Sequence, residues 1–277
     1  MANSSADRMF THDLTLADDG AVSFACSQDQ DEWPWLALHP HHPIALQNIQ
    51  YWVSVETGRA RGTFDGTKWT AITWTRWECG DANAGNPVRG ISEILTEGGK
   101  IQSQLTFYDC HDAVVSVMRF KGVEFRTRDF EAWREKAKQS SGKTVSLSAF
   151  DFAAAKAVGS ENIGPSFLSS LGNGPPPYAR GLMAMDNAFP PAHPTMSGSG
   201  DHVNSTHLAE AAHQFFHLLE DGKPLRIARG EMWFTHYVEL GRPFRIELTG
   251  RDGTSASAMV TQGGHDCTRI TMELAAA

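Results

Sequence analysis

The chain has 277 residues, 41% hydrophobic and 20% charged, which supplies apolar material for one large domain or two ordinary ones and excludes a disordered chain. The net charge of −8, with histidine neutral, argues against non-specific binding to nucleic acid or to an anionic membrane, since both need a basic surface. The N-terminal MANSSADRMFTHDLTLADDG carries no apolar signal-like core, and no apolar run approaches the ~20 residues of a membrane helix, so a cytoplasmic protein is expected.

Taken in chain order, residues 1–20 are polar and read as loose, and GAVSFACS (20–27) reads as a strand. Prolines at 34, 40 and 43 delay a helix until about Ile44, and Ile44–Val55 then has the pattern of a short buried helix. Trp, Thr and Ile in TKWTAITWTRWEC (67–79) favour a strand. Residues 86–127 read as three more strands, joined by turns at Glu97-Gly98-Gly99-Lys100 and Asp109-Cys110-His111-Asp112. RDFEAWREKAKQ (128–139) is a charged helix. A Gly/Pro-punctuated connection follows, in which LSAFDFAAAKAVGS reads as one more helix.

The second half has the same order of elements as the first. A strand at 179–187 and a Pro/Gly-rich loop precede the helix of STHLAEAAHQFFHLL, and strands follow at 225–238, 242–252, 254–264 and 266–274. The domains expected are therefore 1–139, a linker at 140–178, and 179–277; the duplication is one of architecture. Six of the eight tryptophans lie between Trp33 and Trp77, which suggests a bulky core or an apolar ligand surface in the first half. Cys26, Cys79, Cys110 and Cys267 fit no zinc spacing and read as reduced thiols.

The chemistry-bearing residues gather at GDHVNSTHLAEAAHQFFHLL (200–219). Glu210 is flanked by Ala209, Ala211 and Ala212, so its face of the helix should be closely packed, where a carboxylate is costly unless paired or functional. The alternative is an ordinary exposed helical glutamate. Asp201 precedes the helix as a natural N-cap, a role that would explain it without catalysis. The histidines do not form one stripe: only His213 and His217 have i, i+4 spacing, and the Glu-after-His pattern of zinc proteases is absent, so no metal is expected. His213 and His217 are expected to face solvent or the sheet rim. His39, beside His41 and His42 among prolines, reads either as a solvated loop or as a catalytic imidazole.

These stretches resemble the hot-dog family. DHVNSTHL (201–208) is similar to the run entering the helix of hot-dog thioesterases, and STHLAEAAHQ (205–214) is similar to that of acyl-carrier-protein dehydratases, with Glu210 on their acidic residue. DEWPWLALHPHHPI (31–44), VVSVMRFKGVEFR (114–126) and LSAFDFAAAKAVGSENIGPSF (147–167) resemble parts of the double-hot-dog dehydratases of polyketide and polyunsaturated fatty-acid synthases, and put His39 on the catalytic histidine. Most of the chain is covered. The family's Pro-Gly before the helix is replaced by Asn204-Ser205, and the first helix carries no acid near Gln50–Val53.

The resemblance implies an α+β double hot-dog fold: two antiparallel sheets, each wrapped around a central helix, packed as a pseudo-dimer within one chain that could pair further into a homodimer. It implies a dehydratase or isomerase acting on a β-hydroxyacyl thioester of acyl carrier protein or coenzyme A, without cofactor. His39 from one half with Glu210 or Asp201 from the other would form one live site, and His193 or His202 with the acid-less Gln50 region a dead one. Asn204, Ser205, His202 and His207 would bind substrate, the first-turn N–H groups polarising the thioester carbonyl. A thioesterase using Asp201 or Glu210 is the alternative within the family, and a non-catalytic acyl-binding protein the alternative outside enzymes.

Overall fold

The computed structural model describes residues 8–66, 68–125, 130–161, 164–184 and 201–275. Two compact units result, one from the described residues up to Glu124 and the other from those beginning at Phe125. The division thus falls ahead of the charged helix that the sequence reading assigns to the first half.

The first unit contains β1 (Thr11–Leu16), β2 (Val22–Cys26), α1 (Pro43–Ala60), β3 (Thr70–Cys79), β4 (Arg89–Glu97), β5 (Lys100–Tyr108) and β6 (Val114–Glu124). Its strands pair antiparallel in the order β1-β2-β4-β5-β6-β3. Between β4 and β5, Glu97 pairs with Lys100 across Gly98 and Gly99, both at positive φ, as a two-residue hairpin turn demands. The helix α1 is buried on every side through its first two turns. Ile44, Leu46, Ile49 and Val53 fill the interior with Trp77, Leu105, Phe107 and Met118 from the sheet. The tryptophan cluster is core: Trp33 meets Trp52 edge-on at 4.6 Å, and Phe10 lies 4.9 Å from Trp35.

The first correction falls at the N-terminus. Residues 11–16 are not loose but form β1, because the buried Glu56 of α1 accepts from the Phe10 and Thr11 N–H groups at 2.8 Å and from Thr11 Oγ1 at 2.6 Å. A carboxylate forty-five residues away supplies the hydrogen bonds that a polar N-terminus cannot find locally.

The second unit contains α2 (Phe130–Ser140), β7 (Tyr178–Gly181), β8 (His202–Val203), α3 (Ser205–Leu219), β9 (Arg226–Phe234), β10 (Val238–Glu239), β11 (Phe244–Asp252), β12 (Ser255–Gln262) and β13 (His265–Ala275). Its main strands run antiparallel in the order β9-β13-β12-β11-β7, with β8 paired to β10 apart from them. Gly263 and Gly264, both at positive φ, close the β12–β13 hairpin as their counterparts do in the first unit. Helix α3 is enclosed: Leu208, Ala209, Ala211, Ala212, Phe215 and Phe216 are all buried, and the small alanines permit a close approach of neighbouring elements.

A second correction concerns residues 147–160. They form two short 3-10 turns, Leu147–Ala149 and Ala155–Val158, rather than a helix. Gly159, left-handed at φ 68°, stops the second turn, and Val158 is buried. A Cβ at Gly159 would come within 2.6 Å of the His217 ring, so the segment is shaped by docking on α3 rather than by the helix propensity of its alanines. No helix among the described residues is long and apolar enough to cross a membrane.

Candidate active site

The second unit gathers two polar clusters at its central helix. The first lies within α3. Glu210 is 1% exposed, and its Oε1 accepts from Gln214 Nε2 at 2.9 Å. Gln214 is itself anchored, its Oε1 accepting from the Phe167 N–H at 2.8 Å. The Glu210 Oε2 is 3.5 Å from His213 Nδ1, and the His213 ring stands edge-on to His217 at 4.6 Å. Of the two places expected for His213 and His217, solvent or the sheet rim, solvent is overturned: both are buried. Burial, seconded by the neighbouring His213, pushes the His217 pKa down to about 4 against a smaller opposing pull from Glu210. The Glu–x–x–x–Gln spacing is one helical turn, so the glutamine braces the carboxylate from the same face.

The second cluster lies where the chain enters α3. Asp201 Oδ1 is 2.5 Å from His202 Nδ1, and Oδ2 accepts from Arg134 Nη2 at 3.1 Å, with Lys138 Nζ at 3.3 Å. Arg134, from α2, also grips Glu239 with both guanidinium nitrogens, at 2.5 and 2.9 Å; each of these two side chains is 3% exposed. The β8–β10 pairing sets Glu239 opposite His202, which brings carboxylate, guanidinium and imidazole together. Tyr237 closes the group, with Arg134 over its ring at 4.2 Å and His202 at 4.4 Å. Burial alone would raise the Asp201 pKa, but the His202 hydrogen bond, its charge and Arg134 outweigh burial and hold the carboxyl well below the usual carboxylate range. Burial pushes the Tyr237 hydroxyl up to about 12. A carboxylate on Nδ1 fixes a ring proton there in either protonation state; only in the neutral ring is the His202 Nε2 lone pair left to act as a base.

Asp201 is therefore not the N-cap of α3. That place belongs to Asn204, whose Oδ1 accepts from the His207 N–H at 3.1 Å and lies 2.8 Å from His207 Nδ1. Ser205 opens the helix, and His207, half-buried, stacks edge-on with Phe167 at 5.9 Å. The structure thus joins Asp201 to His202 and Asn204 to His207, and sets Glu210 about one turn beyond His207 on the same helix. Glu210 and His213 could offer an oxygen and a nitrogen ligand to a cation.

In the first unit, His39 is exposed on the loop before α1, its Nδ1 accepting from the His41 N–H at 3.1 Å. His42, not singled out by the sequence reading, is the N-cap of α1, with Nδ1 accepting from the Ile44 N–H. Six residues beyond each N-cap stand Asn48 in α1 and Glu210 in α3. His193 lies outside the described residues. Sequence reasoning also missed Arg134 and Glu239, whose pairing spans 105 positions and leaves no local trace; Gln214 stood inside the quoted motif, and its spacing was the signal.

A central helix against an antiparallel sheet, made twice in one chain, is the double hot-dog fold. No protein-family model matches the sequence, and neither does any curated protein. Among solved structures the chain is similar to the 12:0-ACP thioesterase from Umbellularia californica (13% identity, 92% of this chain and 96% of that one, TM-score 0.56). It is also similar to an acyl-ACP thioesterase from Bacteroides thetaiotaomicron VPI-5482 (13%, 92% and 97%, TM-score 0.52). A third likeness is to the dehydratase domain from the terminal module of the rifamycin polyketide synthase (13%, 98% and 97%, TM-score 0.50).

Proposed function

We propose that the chain is an enzyme of acyl-thioester metabolism that eliminates water from a 3-hydroxyacyl group carried on acyl carrier protein or coenzyme A. The observation that carries this reading is Glu210, a carboxyl group buried on a central helix and braced by Gln214. Elimination removes a proton from the α-carbon and delivers one to the β-hydroxyl, which leaves as water. A buried carboxyl group held in place by Gln214 suits one end of that transfer. The imidazole role at the other end is proposed for His39, whose Nδ1 accepts from the His41 N–H. Asn204, Ser205, His202 and His207, at the mouth of α3, are assigned to the thioester. N–H groups of the first helical turn polarise its carbonyl and acidify the α-proton. A double-bond shift would use the same groups. The chemistry is redox-neutral and calls for no cofactor.

A second reading, thioester hydrolysis, is favoured by the Asp201–His202 pair. An imidazole oriented through Nδ1 can take a proton from water at Nε2 as the water attacks the thioester carbonyl, and the thiol leaves. The solved structures of this fold named above include both thioesterases and a dehydratase domain, which supports acyl thioesters as the substrate class.

The test is a matched pair of substrates, presented on acyl carrier protein and on coenzyme A. Formation of the 2,3-unsaturated thioester from a 3-hydroxyacyl substrate is the result expected. Release of free thiol from a saturated acyl thioester, without dehydration, would replace the first reading by the second. Tight binding of both with no turnover would make the chain an acyl-binding protein.

A further inference from the structure

The interior of the first unit holds more polar atoms than it satisfies. Gln47 and Gln50, three residues apart on α1, are both fully buried. Gln50 Oε1 accepts from Thr75 Oγ1 at 2.6 Å, which turns that helix face toward the inner face of β3. Among the described residues, Gln50 Nε2, both amide atoms of Gln47 and the Nδ2 of buried Asn48 have no hydrogen-bond partner. The sheet contributes more of the same. Trp77 follows Thr75 by two residues and so shares its face. Met118 lies opposite Trp77, and Ser116 is two residues from Met118, on that face again. Trp77 Nε1 and Ser116 Oγ are fully buried and likewise without a partner.

Native interiors rarely leave such groups unmet, and leucine or methionine would fill the same space without the cost. Here they are grouped on one helix and the sheet face before it, and the set is lopsided. Four nitrogen donors stand against one amide carbonyl, with a hydroxyl able to serve either way. A hydrocarbon would leave every donor unpaired. An uncharged oxygen, such as a ketone or hydroxyl on an otherwise apolar chain, would meet them while burying its carbons against Ile49, Val53, Leu105 and Phe107.

We propose that the amide-lined interior of the first unit, built from Gln47, Gln50, Trp77 and Ser116, binds the oxygen-bearing part of an acyl chain, so that the protein selects keto- or hydroxyacyl groups over saturated ones. This rests on the acyl-thioester reading and deepens it. While α3 carries a carboxyl group, α1 carries amides that recognise without transferring a proton.

The experiment uses unreactive thioether analogues of acyl coenzyme A, matched in length, one saturated and a series bearing a single keto group at successive positions, titrated calorimetrically into the full chain. A preference of at least about tenfold for one keto position is expected, the effect of one well-met hydrogen bond in a desolvated site. Gln47→Met and Trp77→Phe should erase that preference. Gln50→Met serves as a third variant should either lose its cooperative melt. Equal binding of keto and saturated chains by the wild type overturns the proposal. So does a preference that survives in the variants while their melting temperature rises, the mark of a core that holds ordered water only. A matched free ketone, titrated alongside, separates the two ideas. If it binds the wild type tenfold better than Gln47→Met while no thioether analogue binds, the interior site stands and the thioester reading fails. If nothing binds, both are overturned.

Discussion

The two central helices show how one architecture is put to different uses. Both α1 and α3 start at a side-chain N-cap, both are enclosed, and both place a polar residue six positions beyond the cap. In α3 that residue is Glu210, supported by Gln214 one turn on. In α1 it is Asn48, and the residue one turn on is Trp52, which packs into the tryptophan core. The carboxylate of α1, Glu56, stands further along and is consumed in holding β1. The two helices thus bury a carboxyl group in different settings: Glu56 fastens a strand, while Glu210 is held by Gln214, the setting in which proton transfer is proposed.

The sharpest way to break this comparison is to make the helices alike. Glu210→Gln keeps the shape and the contact with Gln214 and removes the titratable group. Dehydration is expected to fall by about 10²–10⁴-fold with the melting curve little changed. His39→Ala should give a comparable loss without unfolding, because that side chain is exposed. Activity retained in Glu210→Gln would leave α3 no more catalytic than α1.

Next in size is the buried ion pair, which the second unit has and the first does not among the described residues. Arg134→Met leaves Glu239 charged and buried, and should lower unfolding free energy by about 3–5 kcal/mol in a denaturant titration. The double variant Arg134→Met/Glu239→Leu should recover most of that loss. If the single change costs no more than the double, the pair does not hold the entry to α3 together. Because Arg134 also fixes Asp201, any hydrolytic activity should fall in the single variant beyond what instability explains.

Much of this was legible in the sequence, and the exceptions have physical reasons. Alternation and the double-glycine turns located β4, β5, β6, β12 and β13 closely, since strands with one buried face and tight turns write their geometry locally. Proline spacing delayed α1 correctly. By contrast β1, the 3-10 turns and the Arg134–Glu239 pair depend on partners tens of residues away, which no local pattern encodes. At the candidate site, Glu210 and Asp201 were visible as residues but not in their relations. Asp201 looked like a cap because Asp before a helix usually is one; Arg134 and His202 claim it instead. His213 and His217 looked exposed because histidine usually is.

A smaller effect concerns that histidine pair. His217 has a folded-state pKa of about 4 against an ordinary 6.5, so the folded state resists a proton that the unfolded chain accepts. Its contribution is fully present above pH 6.5, where both states are neutral, and is lost as pH falls from 6.5 towards 4. The loss should be on the order of 3 kcal/mol. His217→Gln should flatten the stability profile across that window. A wild-type profile already flat there would mean that the ring is solvated rather than enclosed, and α3 would then be less sealed than its neighbours imply.

The smallest effect compares the caps. Asn204→Ala should cost about 1 kcal/mol, the usual worth of a side-chain acceptor at a helix start. On α1 the acceptor is an imidazole, His42 Nδ1, which serves only while that nitrogen is unprotonated. Asparagine offers an acceptor at a similar reach and at any pH. His42→Asn should therefore leave stability at neutral pH within about 0.5 kcal/mol. A loss as large as that of Asn204→Ala would mean that the imidazole does more for the fold than cap α1. Unchanged stability with reduced turnover would instead reveal that the His42 ring is retained for its chemistry, since asparagine supplies the cap and cannot supply an acid or a base.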